Sequence, residues 1–172
     1  MRACFLLTIG LLAAAPAAAA VTAIDPGGFT ISTSFHAAVP ADKAYGVLVR
    51  PSLWWGGEHT YSGNAANLTL DARAGGCWCE ALPGGGSVQH MTVVYADPGK
   101  VLRLRGGLGP LGAMPLDGVM TFSLMSANGG TDIAIRYVVG GYAPSGFKDL
   151  APGVDEVFMA QIARLKIAIE KP

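Results

Sequence analysis

The sequence is short of charge. It has 12 basic and 12 acidic residues in 172, or 14% charged residues, and a formal net charge of zero. A protein that binds nucleic acid needs a basic patch or stripe to neutralise phosphates, and no basic excess is available here. The composition therefore predicts no nucleic-acid partner.

Long apolar runs are missing after residue 20. Before it, Arg2 precedes an apolar run from Cys4 to Ala15 and a small-residue tail that ends at Ala20. Such a run is too short for a membrane span, which needs about 20 apolar residues, and is typical of a secretory signal peptide. We predict a signal peptide over 1–20, cleaved after Ala20, and a periplasmic or secreted protein. The mature chain, 21–172, has 11 basic and 12 acidic residues and no predicted membrane span.

Cysteine is also scarce, and only Cys77 and Cys79 follow the predicted signal peptide. In a regular strand, Cα atoms two residues apart are separated by about 7 Å, at the limit for a disulfide. This spacing favours two small buried side chains over a strained or redox-active disulfide or metal ligation. A structural zinc site needs four ligands, and the sequence has no second cysteine pair, so we predict no metal.

Glycine and proline are abundant instead, with 24 and 11 residues, and they separate segments rich in β-branched residues. Their short intervals predict antiparallel neighbours, since parallel strands need a long crossover. The pattern predicts seven antiparallel strands, at 28–39, 67–72, 76–82, 87–96, 100–106, 117–126 and 131–142.

Helical patterns flank these strands. A short helix is predicted after Pro40, with a second helical turn at 52–55, and a long helix is predicted over 154–171. The long helix has an apolar stripe of Val154, Phe158, Ile162, Leu165 and Ile169. We expect an α+β fold in which this helix covers the concave face of a curved sheet and leaves a cavity. The apolar segment 106–118 is either packed on the core or a mobile lid.

Several residues are candidates for the wall of this cavity. Residues 52–63, SLWWGGEHTYSG, place Trp55, His59 and Tyr61 beside a flexible Gly-Gly pair, while His90 lies within a predicted strand. We predict a binding site whose rim and floor combine polar, aromatic and aliphatic side chains: Trp55, His59, Tyr61, His90, Phe158, Ile162 and Leu165. Structural alternatives stay open, because large aromatics often fill a core and the mid-strand position of His90 favours an internal hydrogen bond over contact with a ligand.

A family resemblance over 28–171 rests on four segments: WWGGEHTYSG, AGGCWCE, GSVQHMTVVYADPGKVLRLRGGLGPL and IAIRYVVGGY. The chain resembles the SRPBCC superfamily, which has the START-like helix-grip fold. Within that superfamily, it is similar to bacterial SRPBCC-domain proteins known as homologues of the heat-shock-chaperone ATPase activator. The resemblance implies a cavity for a hydrophobic or aromatic small molecule, and functions that range from carrier to polyketide cyclase.

These observations favour an exported protein that binds a hydrophobic small molecule, without a cofactor, as a monomer or weak dimer. Two alternatives remain: a cyclase- or hydrolase-type enzyme with His59 or His90 as base, and a protein-interaction module. Whether the protein is an enzyme is left open. The predicted export separates the chain from the chaperone-activating relatives, which are cytosolic.

Overall fold

The computed structural model describes residues 20–171, so the predicted signal peptide, apart from Ala20, lies outside the described residues. Eight strands and two α-helices follow one another along the chain. The strands are β1 (Val21–Asp25), β2 (Gly28–Ala37), β3 (Leu68–Leu70), β4 (Cys77–Ala81), β5 (Ser87–Asp97), β6 (Val101–Arg105), β7 (Leu116–Ala127) and β8 (Gly130–Gly141). The helices are α1 (Ala41–Leu48) and α2 (Leu150–Glu170).

All eight strands form one antiparallel sheet in the order β1-β2-β8-β7-β6-β5-β4-β3. The seven predicted strands correspond to β2 through β8, and the prediction missed β1. This strand pairs with β2 through a tight hairpin in which Gly27 N–H donates to the Asp25 carboxylate at 2.7 Å. Four of the five β1 residues are exposed, so the strand lacks the clear apolar alternation that identifies a half-buried strand.

The helices differ from the prediction at their ends. The second short helix is a single 3-10 turn, Pro51–Leu53, which ends before the Gly56-Gly57 pair. The long helix begins at Leu150, four residues before the predicted start, and includes Pro152. Proline is tolerated there because the first turn of a helix has N–H groups without an intrahelical partner.

Helix α2 packs against the buried face of the sheet. Phe158, Ile162, Leu165 and Ile169 are all buried, which confirms four members of the predicted apolar stripe. The sheet contributes alternate residues of its long strands to this core, among them Met120, Phe122, Leu124, Ile133, Ile135, Tyr137 and Val139. The ring of Tyr137 stacks on Phe158 with 5.8 Å between centroids and joins β8 to α2 directly. The α+β class and the long C-terminal helix were therefore predicted correctly.

Cys77 and Cys79 form a disulfide, contrary to the favoured prediction of two free buried side chains. The pairing of β4 with β5 shifts register between Trp78 and Cys79. Such a bulge bends the strand, and the two Cα atoms lie 5.4 Å apart, within the usual range for a disulfide. A regular strand would hold the two Cα atoms about 7 Å apart, and the bulge at β4 shortens that distance.

Among residues 20–171, neither helix combines the length and apolar character that crossing a bilayer requires.

Candidate ligand-binding cavity

Three tryptophans form a cluster, two from the segment that joins α1 to β3 and one from β4. Trp54, Trp55 and Trp78 meet edge to face, with ring centroids 5.2–5.9 Å apart. Trp54 is buried and donates through Nε1 to the Leu48 carbonyl at 3.2 Å, so it fills the core. Trp55 is half-buried and donates to the His59 carbonyl at 2.9 Å. The Trp55 hydrogen bond thus attaches the turn at residues 56–60 to the cluster.

A buried carboxylate holds the next part of this segment. Glu80 of β4 is fully buried and accepts hydrogen bonds from the backbone N–H groups of Tyr61, at 3.2 Å, and Ser62. His90 Nε2 on β5 lies 3.0 Å from Glu80 Oε2. One side chain of the sheet therefore fixes two consecutive amides of the loop, and we name Tyr61, Ser62, Glu80 and His90 the Glu80 anchor.

Hydrogen bonding decides the charge state of this anchor. Burial acts to raise the pKa of Glu80, but the hydrogen bonds from Ser62, Tyr61 and His90 outweigh it and hold the pKa below its ordinary value. An ionised carboxylate only accepts hydrogen bonds, so His90 carries a proton on Nε2 and donates it. The Nε2 atom of His90 is consequently committed to Glu80.

A second anchor holds the apolar segment 106–115. Tyr137 is fully buried on β8; its hydroxyl donates to the Gly106 carbonyl at 3.3 Å and accepts from the Leu108 N–H at 3.4 Å. Burial raises the pKa of Tyr137 to about 12, so the phenol is neutral. The segment then makes a 3-10 turn, Gly109–Ala113, with Leu111 buried beneath it. This observation favours the packed-down interpretation of the segment.

The two loops touch above the space they enclose. The Tyr61 hydroxyl donates to the Gly109 carbonyl at 2.9 Å and bridges the loops although more than half of this residue is exposed. On the helix side, Gly56 N–H donates to the buried Gln161 side chain at 2.7 Å. Arg164 pairs with Glu58 at 2.9 Å on the surface. The 56–61 loop is therefore attached to the sheet, to α2 and to its neighbouring loop.

These elements border a partly open cavity of about 550 Å³ between the two loops, β8 and the first half of α2. Its walls are mostly aromatic and aliphatic, with Trp55, Tyr61, Leu108, Pro110, Tyr137, Leu150, Val154, Val157 and Phe158. Polar groups lie at a few positions, on Glu58, His59, Thr60 and Asp149. An apolar cavity with a small number of polar groups suits a small organic molecule.

The predicted site residues divide into two groups. Trp55, His59, Tyr61 and Phe158 line this cavity. His90, Ile162 and Leu165 do not: His90 belongs to the Glu80 anchor, Leu165 is in the core, and Ile162 lines a second cavity of about 670 Å³ between α2 and the β1-β2 hairpin. The prediction of a ligand-binding site itself stays a prediction.

The cavity wall also includes Leu108, Tyr137 and Val157, which were not among the predicted site residues. The apolar character of segment 106–118 indicated that its side chains needed cover, which is the signal for Leu108. Nothing in the sequence distinguished Tyr137 from the other strand residues. Within residues 20–171, no three His, Cys, Asp or Glu side chains are grouped so as to hold a metal ion.

Solved structures share this fold. Protein MLL2253 from Mesorhizobium loti superposes with a TM-score of 0.58 at 18% identity, over 81% of this chain and 96% of its own. CalU16 from Micromonospora echinospora gives 0.56 at 16% identity, over 83% and 76%. DynU16, described as a protein in the dynemicin biosynthetic locus, gives 0.56 at 15% identity, over 83% of this chain and 47% of its own.

No protein-family model and no curated protein matches the chain. The structural likeness supports an α+β fold of the helix-grip class, and at identities below 20% it supports the fold alone. The chain spans less than half of DynU16.

Proposed function

We propose that this protein is exported and binds a hydrophobic or aromatic small molecule in the cavity between the two loops, β8 and α2. The observation that carries the proposal is the cavity itself, about 550 Å³ in volume and walled mainly by aromatic and aliphatic side chains. Small-molecule sites are commonly about 300–1,000 Å³ with such walls. We also propose that the chain is related to the SRPBCC-domain homologues of the heat-shock-chaperone ATPase activator.

The walls suggest how a ligand is held. Tyr137 and Phe158 stack on each other and present aromatic surface from β8 and α2, while Trp55 and Tyr61 supply aromatic surface from the loop. An aromatic ligand gains both apolar burial and favourable ring packing in such a setting. The His59 imidazole at the same wall offers a polar contact that orients the ligand. DynU16, a neighbour in fold, is described as belonging to a biosynthetic locus, which is compatible with handling small organic molecules.

Binding accounts for the histidines better than acid-base catalysis by His90. The Nε2–H group of His90 donates a hydrogen bond to Glu80, and His90 is not part of the cavity wall. The pair acts on the position of the Tyr61 and Ser62 backbone instead. We therefore assign the Glu80 anchor a positioning role within the binding protein.

Two features support export. The first is the signal-peptide pattern of residues 1–20. The second is the Cys77–Cys79 disulfide, because disulfides persist in oxidising compartments such as the periplasm. Fractionation of cells that express the full chain tests this part, and a cytosolic location would contradict it.

Fluorescence titration with N-phenyl-1-naphthylamine, a neutral aromatic probe, tests the binding site. We expect saturable binding at one site per chain. Val157→Phe places a larger side chain in the cavity wall and should weaken binding at least tenfold. Ile167→Phe, on the exposed face of the same helix, is the matched control and should bind as the unmodified protein does. Equal binding by both variants, or no saturable binding, would contradict the proposed site.

A further inference from the structure

The backbone N–H of Ala20 donates to a buried carboxylate, that of Asp155. Asp155 of α2 is only 6% exposed, and its two oxygens are 3.1 and 3.2 Å from Ala20 N. The Ala20 carbonyl accepts from Ser32 N–H at 2.9 Å and continues the ladder between β1 and β2. The N–H and the carbonyl of Ala20 thus both form hydrogen bonds with the folded domain, and Ala20 is itself buried.

A peptide N–H is a poor partner for this carboxylate. It has one hydrogen and no charge, yet the nitrogen is almost equidistant from the two Asp155 oxygens. Within residues 20–171, no other group donates a hydrogen bond to Asp155 or forms an ion pair with it. A buried carboxylate requires a positive partner or several donors, because desolvation of the charge is costly. An α-ammonium at the same nitrogen would have three hydrogens and a positive charge.

Several positions of the sequence satisfy a small-x-small pattern, and two of them flank Ala20. Ala17-Ala18-Ala19 permits cleavage after Ala19, and Ala18-Ala19-Ala20 permits cleavage after Ala20. Cleavage after Ala20 removes the residue that contacts Asp155 and Ser32. Cleavage after Ala19 turns the Ala20 nitrogen into an ammonium at the position where it already faces Asp155.

We infer that the signal peptide is removed between Ala19 and Ala20, and that the new N-terminal ammonium forms a buried ion pair with Asp155. This inference rests on the proposed export and revises the sequence prediction of cleavage after Ala20. The pair fastens the residue before β1 to α2 and joins two positions that are 135 residues apart in the chain. Signal-peptide removal then completes the fold as well as releasing the protein.

Intact-mass measurement of the exported protein tests the cleavage position. Full-length chain is expressed in a Gram-negative host, and the protein is purified from the periplasmic fraction. A mass that begins at Ala20 is the expected result. A mass that begins at Val21, or at any other residue, overturns the inference and leaves export intact. Uncleaved protein in the cytosol overturns the inference together with the proposed export.

Thermal unfolding tests the ion pair separately. Two forms are made from a fusion whose removal leaves a chosen first residue: one begins at Ala20 and the other has Gly-Ser before Ala20, so that an amide replaces the ammonium. Asp155→Asn should lower the Tm of the first form by roughly 5 °C or more, and that of the second form by much less. Glu156→Gln, an exposed neighbour, is the control and should leave both forms unchanged. Equal effects of Asp155→Asn in the two forms would overturn the ion pair.

Discussion

The carboxylate of Glu80 and the imidazole of His90 meet inside the protein, with 3.0 Å between Oε2 and Nε2. The same carboxylate accepts the backbone N–H groups of Tyr61 and Ser62, whose loop forms one wall of the cavity. A polar pair in the sheet therefore determines where an aromatic residue of the cavity lies. This relationship connects stability to ligand binding.

Glu80→Gln should destabilise the protein by about 2–4 kcal/mol. The NH₂ group of glutamine would face the backbone and imidazole N–H groups around position 80, which are themselves donors. Affinity for the naphthylamine probe should fall with it, since Tyr61 loses its backbone anchor. Urea unfolding and fluorescence titration measure the two effects.

Glu58→Gln is the matched control for the effect of that substitution on stability. Glu58 pairs with Arg164 on the surface, and more than half of each of these side chains is exposed. Such pairs contribute little to stability, so little change is expected. Similar losses in the free energy of unfolding in both variants would show that the Glu80 anchor has no special role in stability.

The stability of the protein should depend on pH through Glu80. Its pKa in the folded state is lower than the ordinary glutamate value of about 4.3, mainly because hydrogen bonds overcome burial. A group with a lowered pKa stabilises the fold fully above its unfolded-state pKa, and this stabilisation is lost as pH falls through the folded-state pKa. The difference in free energy of unfolding between unmodified protein and Glu80→Gln should therefore be constant near neutral pH and shrink below about pH 4.3. A difference that stays constant from pH 7 to pH 3 would argue against this assignment.

The apolar end of the cavity depends on a glycine. A Cβ on Gly118 would lie 2.6 Å from Tyr137 Cε2 and 2.8 Å from the Gly106 carbonyl oxygen. Gly118→Ala should displace the tyrosine that holds segment 106–115, cost about 1–3 kcal/mol and weaken probe binding. Gly46→Ala in α1 is the control, because a Cβ there meets nothing within 4 Å. It should stabilise the protein by about 0.5–1 kcal/mol. Two alanine variants of equal stability would contradict the steric argument.

The sequence is informative where a single periodicity decides the structure. Helix α2 and the seven longer or more apolar strands were predictable, because alternation and helical spacing identify their buried faces. The weakly patterned β1 was missed, and the bulge at Trp78 could not be foreseen, since strand irregularity depends on pairing with β5.

The cavity was predictable only in part. Phe158, Ile162 and Leu165 share one apolar stripe, and its pattern does not reveal which of them faces an open space. The partnership of Tyr137 with Leu108 joins residues 29 positions apart, and no local pattern reports it. The sequence did indicate Trp55, His59 and Tyr61. An adjacent glycine pair together with several aromatic residues is unusual within twelve positions.

The disulfide yields the last prediction. Cys77 and Cys79 are two positions apart, so their bond closes a very short loop and removes little conformational freedom from the unfolded chain. Loop-closure entropy for three residues corresponds to roughly 1.6 kcal/mol at 25 °C. Reduction should therefore lower the free energy of unfolding by about that amount and leave the protein folded, as urea unfolding with and without reductant can measure. The Cys77→Ala, Cys79→Ala double variant is the control and should not respond to reductant. Complete unfolding on reduction would mean that the bulged β4 strand, and with it the position of Glu80, depends on the covalent bond instead of on strand pairing.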